Sequence, residues 1–193
     1  MADAYTPPRL TLPVGERDHA EGAADAPVTL VEYGDYQCPY CGAAYPVVKK
    51  VQQEMGVALR FVFRNFPITN AHPMAEWAAE TAEAAAAQGK FWPVHDVLFE
   101  NQRRFGDDAF FAEREAKLKL DVRRLAREVA DRAYTARIEE DMTSGIRSGV
   151  NGTPTFFING VRYDGPAEVG PIVAALRAAT KSPAGRSGRR SRA

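Results

Sequence analysis

Two cysteines three positions apart, in the run Cys38-Pro39-Tyr40-Cys41, stand where a β-branched apolar run gives way to helical periodicity, and this junction constrains the chain more than any other feature. Val28 to Tyr33 (VTLVEY) has the length of a buried strand. From Cys38 to Met55, Tyr45, Val48, Val51, Gln52 and Met55 recur at helical spacing. Pro39 suits the first helical position, where a missing N–H is not needed. Pro46 predicts a kink rather than an end, and Gly56 a stop. Leu59, Phe61 and Phe63 then alternate with Arg60, Val62 and Arg64 as a second strand, so the cysteines sit at the joint of a βαβ unit.

From Pro73 to about Arg147 the chain is rich in Ala, Glu and Arg, with breaks at Gly89, Gly106 and Asp121. Four helices are predicted, the first over Trp77 to Gln88 and the second over Phe91 to Gln102. Strand signals return at Thr155 to Ile158 and Val161 to Tyr163, around Asn159-Gly160, a pair suited to the positive φ angles of a tight hairpin. A last helix over Val169 to Ala179 is expected to bury Ile172, Val173 and Leu176. The order is βαβ, helical block, ββα. At 193 residues this fits one domain with an insertion: a leader over 1–26, a first half over 27–66, the helical insertion over 67–148, a second half over 149–180, and a tail over 181–193.

The 25 basic and 25 acidic side chains point to no particular partner. The tail, KSPAGRSGRRSRA, holds five of the cations and no large apolar residue, and reads as disordered and solvated rather than as a nucleic-acid contact. The N-terminus has no basic segment followed by an apolar run, and no stretch is long enough to cross a bilayer, which predicts a cytoplasmic protein. In a reducing compartment a close cysteine pair is catalytic or metal-binding. A zinc site needs two further ligands from His19, His72 and His95. His72 precedes Pro73 in a loop and His95 sits among Trp92, Leu98 and Phe99, so both read as packing or hydrogen-bonding residues and no metal site is expected.

A free cysteine is only ~3% thiolate at neutral pH, and the thiolate is the species that attacks a disulfide. Cys38 begins a helix, so unpaired backbone N–H groups, including that of Cys41, are expected to point at its sulfur and acidify it. Cys41, one turn further in, should be deeper, stay protonated and resolve the mixed disulfide that Cys38 forms. Glu32, six residues before Cys38 in an otherwise apolar strand apart from Thr29, is expected to be a buried acid that takes the Cys41 proton.

Strand, Cys-Pro-Tyr-Cys, helix, strand, helical block, Val150-Asn151-Gly152-Thr153-Pro154-Thr155 and Phe156-Phe157-Ile158-Asn159-Gly160, with Glu32 six residues before the first cysteine, resemble the DsbA-like branch of the thioredoxin superfamily over residues 19–179. The resemblance implies an α/β thioredoxin fold, βαβ and ββα around a mixed sheet with an all-helical insertion, and a thiol:disulfide oxidoreductase with no cofactor beyond its Cys38–Cys41 dithiol/disulfide. It also implies a cis Thr153-Pro154 bond against the cysteines. Pro154 has no N–H to offer the thiolate, while Thr153, with Pro39 and Tyr40, is expected to contact an extended substrate. The partners implied are protein or small-thiol disulfides and a further redox partner, with no membrane or nucleic acid, for a monomer or weak dimer. Strongly oxidising members carry Pro-His between the cysteines. With Pro39-Tyr40, Cys38 is expected to have a pKa above the ~3.5 extreme and the pair a potential below ~−120 mV, which suits a reductase or isomerase. The alternative is a redox-sensing binding or chaperone-like module that uses the groove beside the cysteines.

Overall fold

The computed structural model describes residues 6–181, so all of the expected disordered tail beyond Lys181 lies outside the described residues. The elements in chain order are β1 (His19–Glu21), β2 (Val28–Gly34), α1 (Pro39–Met55), β3 (Leu59–Asn65), α2 (Ala75–Ala86), α3 (Phe91–Glu100), α4 (Asp108–Lys117), α5 (Val122–Ala130), α6 (Thr135–Arg147), β4 (Thr155–Ile158), β5 (Val161–Tyr163) and α7 (Val169–Lys181). Among the described residues they form one mixed sheet in the order β1-β3-β2-β4-β5, in which β2 and β3 are parallel and the other pairs antiparallel. This is the expected thioredoxin-type βαβ and ββα arrangement with a helical insertion.

The sheet is buried on both faces, which explains why β2 and β3 read as nearly continuous apolar runs. Side chains alternate along a strand, so Val28, Leu30, Phe61, Phe63, Phe156 and Ile158 share one face. They pack against Cys41, Ala44, Val48, Val51 and Met55 of α1 and Ile172, Val173 and Leu176 of α7. The same parity puts Glu32 on the α1 face, paired across the sheet with Phe63 and Phe156. The opposite face carries Val31, Tyr33, Val62 and Phe157, covered by Leu10 and Val14 of the leader and Met142 of α6. Asn159 and Gly160 turn the β4–β5 hairpin with φ of 48° and 78°, the two positive values that a tight hairpin requires.

One expectation is corrected, and the leader gains a role. It packs into the fold: β1 pairs with β3, Arg9 bridges Val161, and the Thr11 N–H donates to the Ser148 Oγ at 3.0 Å. The block from 75 to 147 holds five α-helices rather than four, because the chain also breaks between α5 and α6. That break carries no Gly or Pro, and Arg132 itself adopts the left-handed conformation, φ 52°.

The leader is held by a buried ion pair. Arg64 and Asp18, both with fully buried side chains, meet at 2.8 Å, and Arg64 also donates to the Tyr33 hydroxyl at 2.8 Å and to the Leu12 and Pro13 carbonyls. Removing the cation alone strands a charge in the interior, so Arg64→Leu is expected to lower stability in urea unfolding by about 3–5 kcal/mol. Arg64→Leu combined with Asp18→Leu should recover much of that loss, and an equal loss in both variants would show that the ion pair does not carry the effect.

Candidate active site

The site is built on the exit of β2. Asp35 directly follows the strand, and its side chain folds forward to accept the backbone N–H of Gln37 at 2.8 Å and of Cys38 at 3.2 Å. Its second oxygen accepts the Ile68 N–H at 2.8 Å and the His72 Nδ1 at 2.7 Å. The loop is thereby pinned to the segment after β3, and Cys38 becomes the N-cap of α1 with Pro39 at the first helical position. Such a start leaves backbone N–H groups without helical partners, free to face the Cys38 sulfur. The Gln102 Nε2 reaches in from the helical block and donates to the Tyr36 carbonyl at 2.7 Å and the Cys38 carbonyl at 3.0 Å. Gly42 makes room for it, since a Cβ there would fall 2.1 Å from the Gln102 Oε1.

Both cysteines are free thiols, and they differ less in exposure, 3% for Cys38 and 0% for Cys41, than in their partners. Cys41 is the deeper sulfur of the two, and burial is the largest cause that raises its pKa. A hydrogen bond from the Cys41 thiol is the largest cause that lowers the Cys38 pKa to about 5, with further help from Thr153 and from the backbone N–H groups of Cys41 and Tyr40. Burial pushes the Cys41 thiol well up, and so do its hydrogen bond to Cys38 and the nearby Glu32. One proton is thus held on the inner sulfur while the outer one carries the charge.

Glu32 is buried at 3% exposure, and desolvation, with the Cys38 charge second, raises its pKa from an ordinary 4.5 to about 8. The Thr153-Pro154 bond is cis, and it sets the Thr153 carbonyl oxygen 3.3 Å from the Cys38 Sγ. Pro39 is exposed and Tyr40 is 75% exposed beside the nucleophile. Structure therefore brings Glu32, Cys38, Cys41 and the Thr153-Pro154 turn together, with Pro39 and Tyr40 at the rim.

Asp35 and Gln102 shape the site and were not singled out from the sequence, whereas His72, expected as a hydrogen-bonding residue, pairs with Asp35. An Asp at the end of a strand and three residues before a helix start is a legible capping signal, whereas Gln102 lies 64 residues from Cys38 and carries no motif. The histidines have separate partners: His19 with Glu83, His72 with Asp35, and His95 with the buried Tyr36 hydroxyl at 3.0 Å. Among the described residues no group of three or more His, Cys, Asp or Glu is placed to hold a metal.

A family model described as Thioredoxin matches residues 15–178. The chain is 45% identical over 176 residues to a protein named Na(+)/H(+) antiporter NhaA 3 from Salinispora tropica, a match that covers 90% of this chain and 26% of that one. It therefore spans about a quarter of the length of the curated relatives it matches. Among solved structures it is similar to BdbD from Bacillus subtilis (TM-score 0.78, 21% identity, 92% of this chain and 97% of that one). It is also similar to a thioredoxin-like oxidoreductase from Silicibacter pomeroyi (TM-score 0.68, 26% identity, 87% and 95%).

The antiporter names overturn the expectation of a cytoplasmic protein. That expectation rested on the N-terminus, and in the relatives the matching segment is only 26% of a chain named for a transporter, so its end says nothing about its compartment. Among the described residues, no helix is long and apolar enough to cross a membrane.

Alkylation of the reduced protein as a function of pH should titrate Cys38 with a midpoint near about 5. Because this thiol's ordinary pKa is 9.0, the associated folded-state stability is present at alkaline pH and is lost as the pH falls through about 5. Cys41→Ala, which removes the donor, should raise the midpoint by at least about one unit, and Cys41→Ser, which keeps an O–H, should raise it less. Equal shifts would show that the Cys41 hydrogen bond is not the principal cause.

Proposed function

The chain belongs to the thioredoxin family and has the DsbA-like form of its fold, and on that premise we propose that it exchanges its Cys38–Cys41 dithiol with disulfides of proteins or small thiols. The observation that carries this reading is the division of one proton between two sulfurs, with Cys38 held as a thiolate near neutral pH and Cys41 held as its thiol.

In the reducing direction, the Cys38 thiolate attacks one sulfur of the substrate disulfide. A Cys38–substrate bond forms, the substrate S–S bond breaks, and the first substrate thiolate leaves. Cys38 then no longer carries the negative charge that helps raise the Glu32 pKa, so Glu32 gives up its own proton, to the departing substrate thiolate or to solvent, and is left as the carboxylate at the moment a base is needed. It takes the Cys41 proton. The Cys41 thiolate attacks Cys38, closes the internal disulfide and releases the second substrate thiolate, so that two electrons pass from the dithiol to the substrate. Thr153, Pro39 and Tyr40 border the approach to Cys38 and serve as substrate contacts, and Pro154 keeps a backbone donor away from the thiolate.

Reduction or isomerisation, rather than strong oxidation, is the direction proposed because Pro39-Tyr40 stands where the strongly oxidising members carry Pro-His. Stabilising the thiolate stabilises the reduced form, and a Cys38 pKa of about 5 lies between ~7 for a reductant of this fold and ~3.5 for its strongest oxidant. Equilibration with glutathione should accordingly give a potential between ~−270 and ~−120 mV, and a value at the upper extreme would overturn this direction. In an insulin-reduction assay wild type should turn over while Cys38→Ser and Cys41→Ser do not; turnover by Cys38→Ser would sink the proposal itself.

Glu32 gives a prediction with two readouts. Its pKa rises from 4.5 to about 8 on folding, so folding stability falls as the pH rises from about 4.5 through about 8. Glu32→Gln, neutral throughout, should match wild type near pH 4 and exceed it by roughly 1–4 kcal/mol above pH 8. It should also slow resolution of the mixed disulfide about 10–100-fold. A stability gain independent of pH would refute the buried-acid assignment.

A further inference from the structure

The helical block holds a cavity of about 340 Å³ that the dithiol chemistry does not use, at the small end of the range for ligand sites. Faces of α2, α4 and α5 meet around it. Trp77 stands on α2; Asp108, Phe111 and Glu115 follow one another along one side of α4; Leu125 and Ala126 come from α5. Phe111, Glu115 and Leu125 are buried, whereas Asp108 and Ala126 are exposed, so the cavity has an inner end and a mouth.

Its chemistry is lopsided. Glu115 is 6% exposed as a residue, and its carboxyl oxygens keep solvent contact at the cavity and have no hydrogen-bond or ion-pair partner among the described residues. A buried carboxyl without a partner is costly, and burial together with the Asp108 charge already pushes its pKa up. No Lys, Arg or His lines the cavity. Beside the carboxyl, Trp77 and Phe111 pack edge to face with centroids 5.2 Å apart. Two carboxylates repel an anion, and a purely apolar guest leaves Glu115 unpaired. A cation on an apolar body satisfies the acid and uses the ring faces as well.

We propose that this cavity is a binding site for a small organic cation, an aryl- or alkylammonium whose charge meets Glu115 and whose apolar part lies against Trp77, Phe111 and Leu125. The site is separate from the cysteines and does not depend on their chemistry.

Calorimetry with 2-phenylethylamine and its neutral counterpart 2-phenylethanol tests the assignment on the intact chain. Saturable binding of the amine with a Kd at or below about 1 mM, at least about tenfold tighter than the alcohol, is expected, together with a change in tryptophan fluorescence. Glu115→Gln should reduce the amine's preference to about one while insulin reduction stays unchanged. Ala126→Leu, which keeps the carboxyl and crowds the mouth, should weaken the amine at least about fivefold and gives the answer if Glu115→Gln does not fold. Cys38→Ser should bind as wild type does. Equal binding of amine and alcohol, a preference that survives Glu115→Gln, unchanged affinity in Ala126→Leu, or dependence on Cys38 would each overturn the proposal.

Discussion

The arrangement of the site depends on the Asp35 carboxylate. A carboxylate in the interior is tolerated only when donors surround it, and this one receives four, from Gln37, Cys38, Ile68 and His72. Those bonds turn the chain out of β2 and start α1 at Cys38, and they tie the turn to the stretch between β3 and α2. Without that turn the N–H groups of Tyr40 and Cys41 would have no reason to converge on one sulfur. The backbone N–H of Asp35 also points at the Cys41 sulfur, at 3.4 Å, so the same residue orients both cysteines.

Around that turn, charge is distributed by burial and by donor count. Cys38 gains donors faster than it loses solvent, whereas Cys41 and Glu32 mainly lose solvent. The three groups share one pocket of potential, so neutralising any of them alters the other two, and stepwise exchange of bonds at Cys38 becomes stepwise movement of protons behind it. The helical block takes part through Gln102, which holds the carbonyls on either side of the turn. The insertion therefore does more than cover the sheet.

Local patterns in the sequence were sufficient where the determinant is local. The strand runs, the Pro39 helix start, the Gly56 stop and the Asn159-Gly160 turn all appear at their expected places because each depends on neighbouring residues alone. Parity along β2 even places Glu32 under α1. The elements that escaped depend on distant contacts: β1 is only three residues long and exists through β3, and the break before α6 uses Arg132 in a conformation that Gly normally signals. At the site, the cysteines and the Thr153-Pro154 turn are marked by motif. The convergence of Asp35, His72 and Gln102 is a property of tertiary packing, whereas the deeper place of Cys41 follows from its position one turn into α1.

The two borders of the sheet have a bearing on how this chain behaves near copies of itself. β1 and β5 are three residues each, and the leader already occupies part of β5 through the Arg9–Val161 bridge and the bond from the Leu10 N–H to the Gly160 carbonyl. Unpaired strand borders are where chains stack into larger β assemblies. Here each border offers a template only three residues long, and on the β5 side the leader already covers part of it.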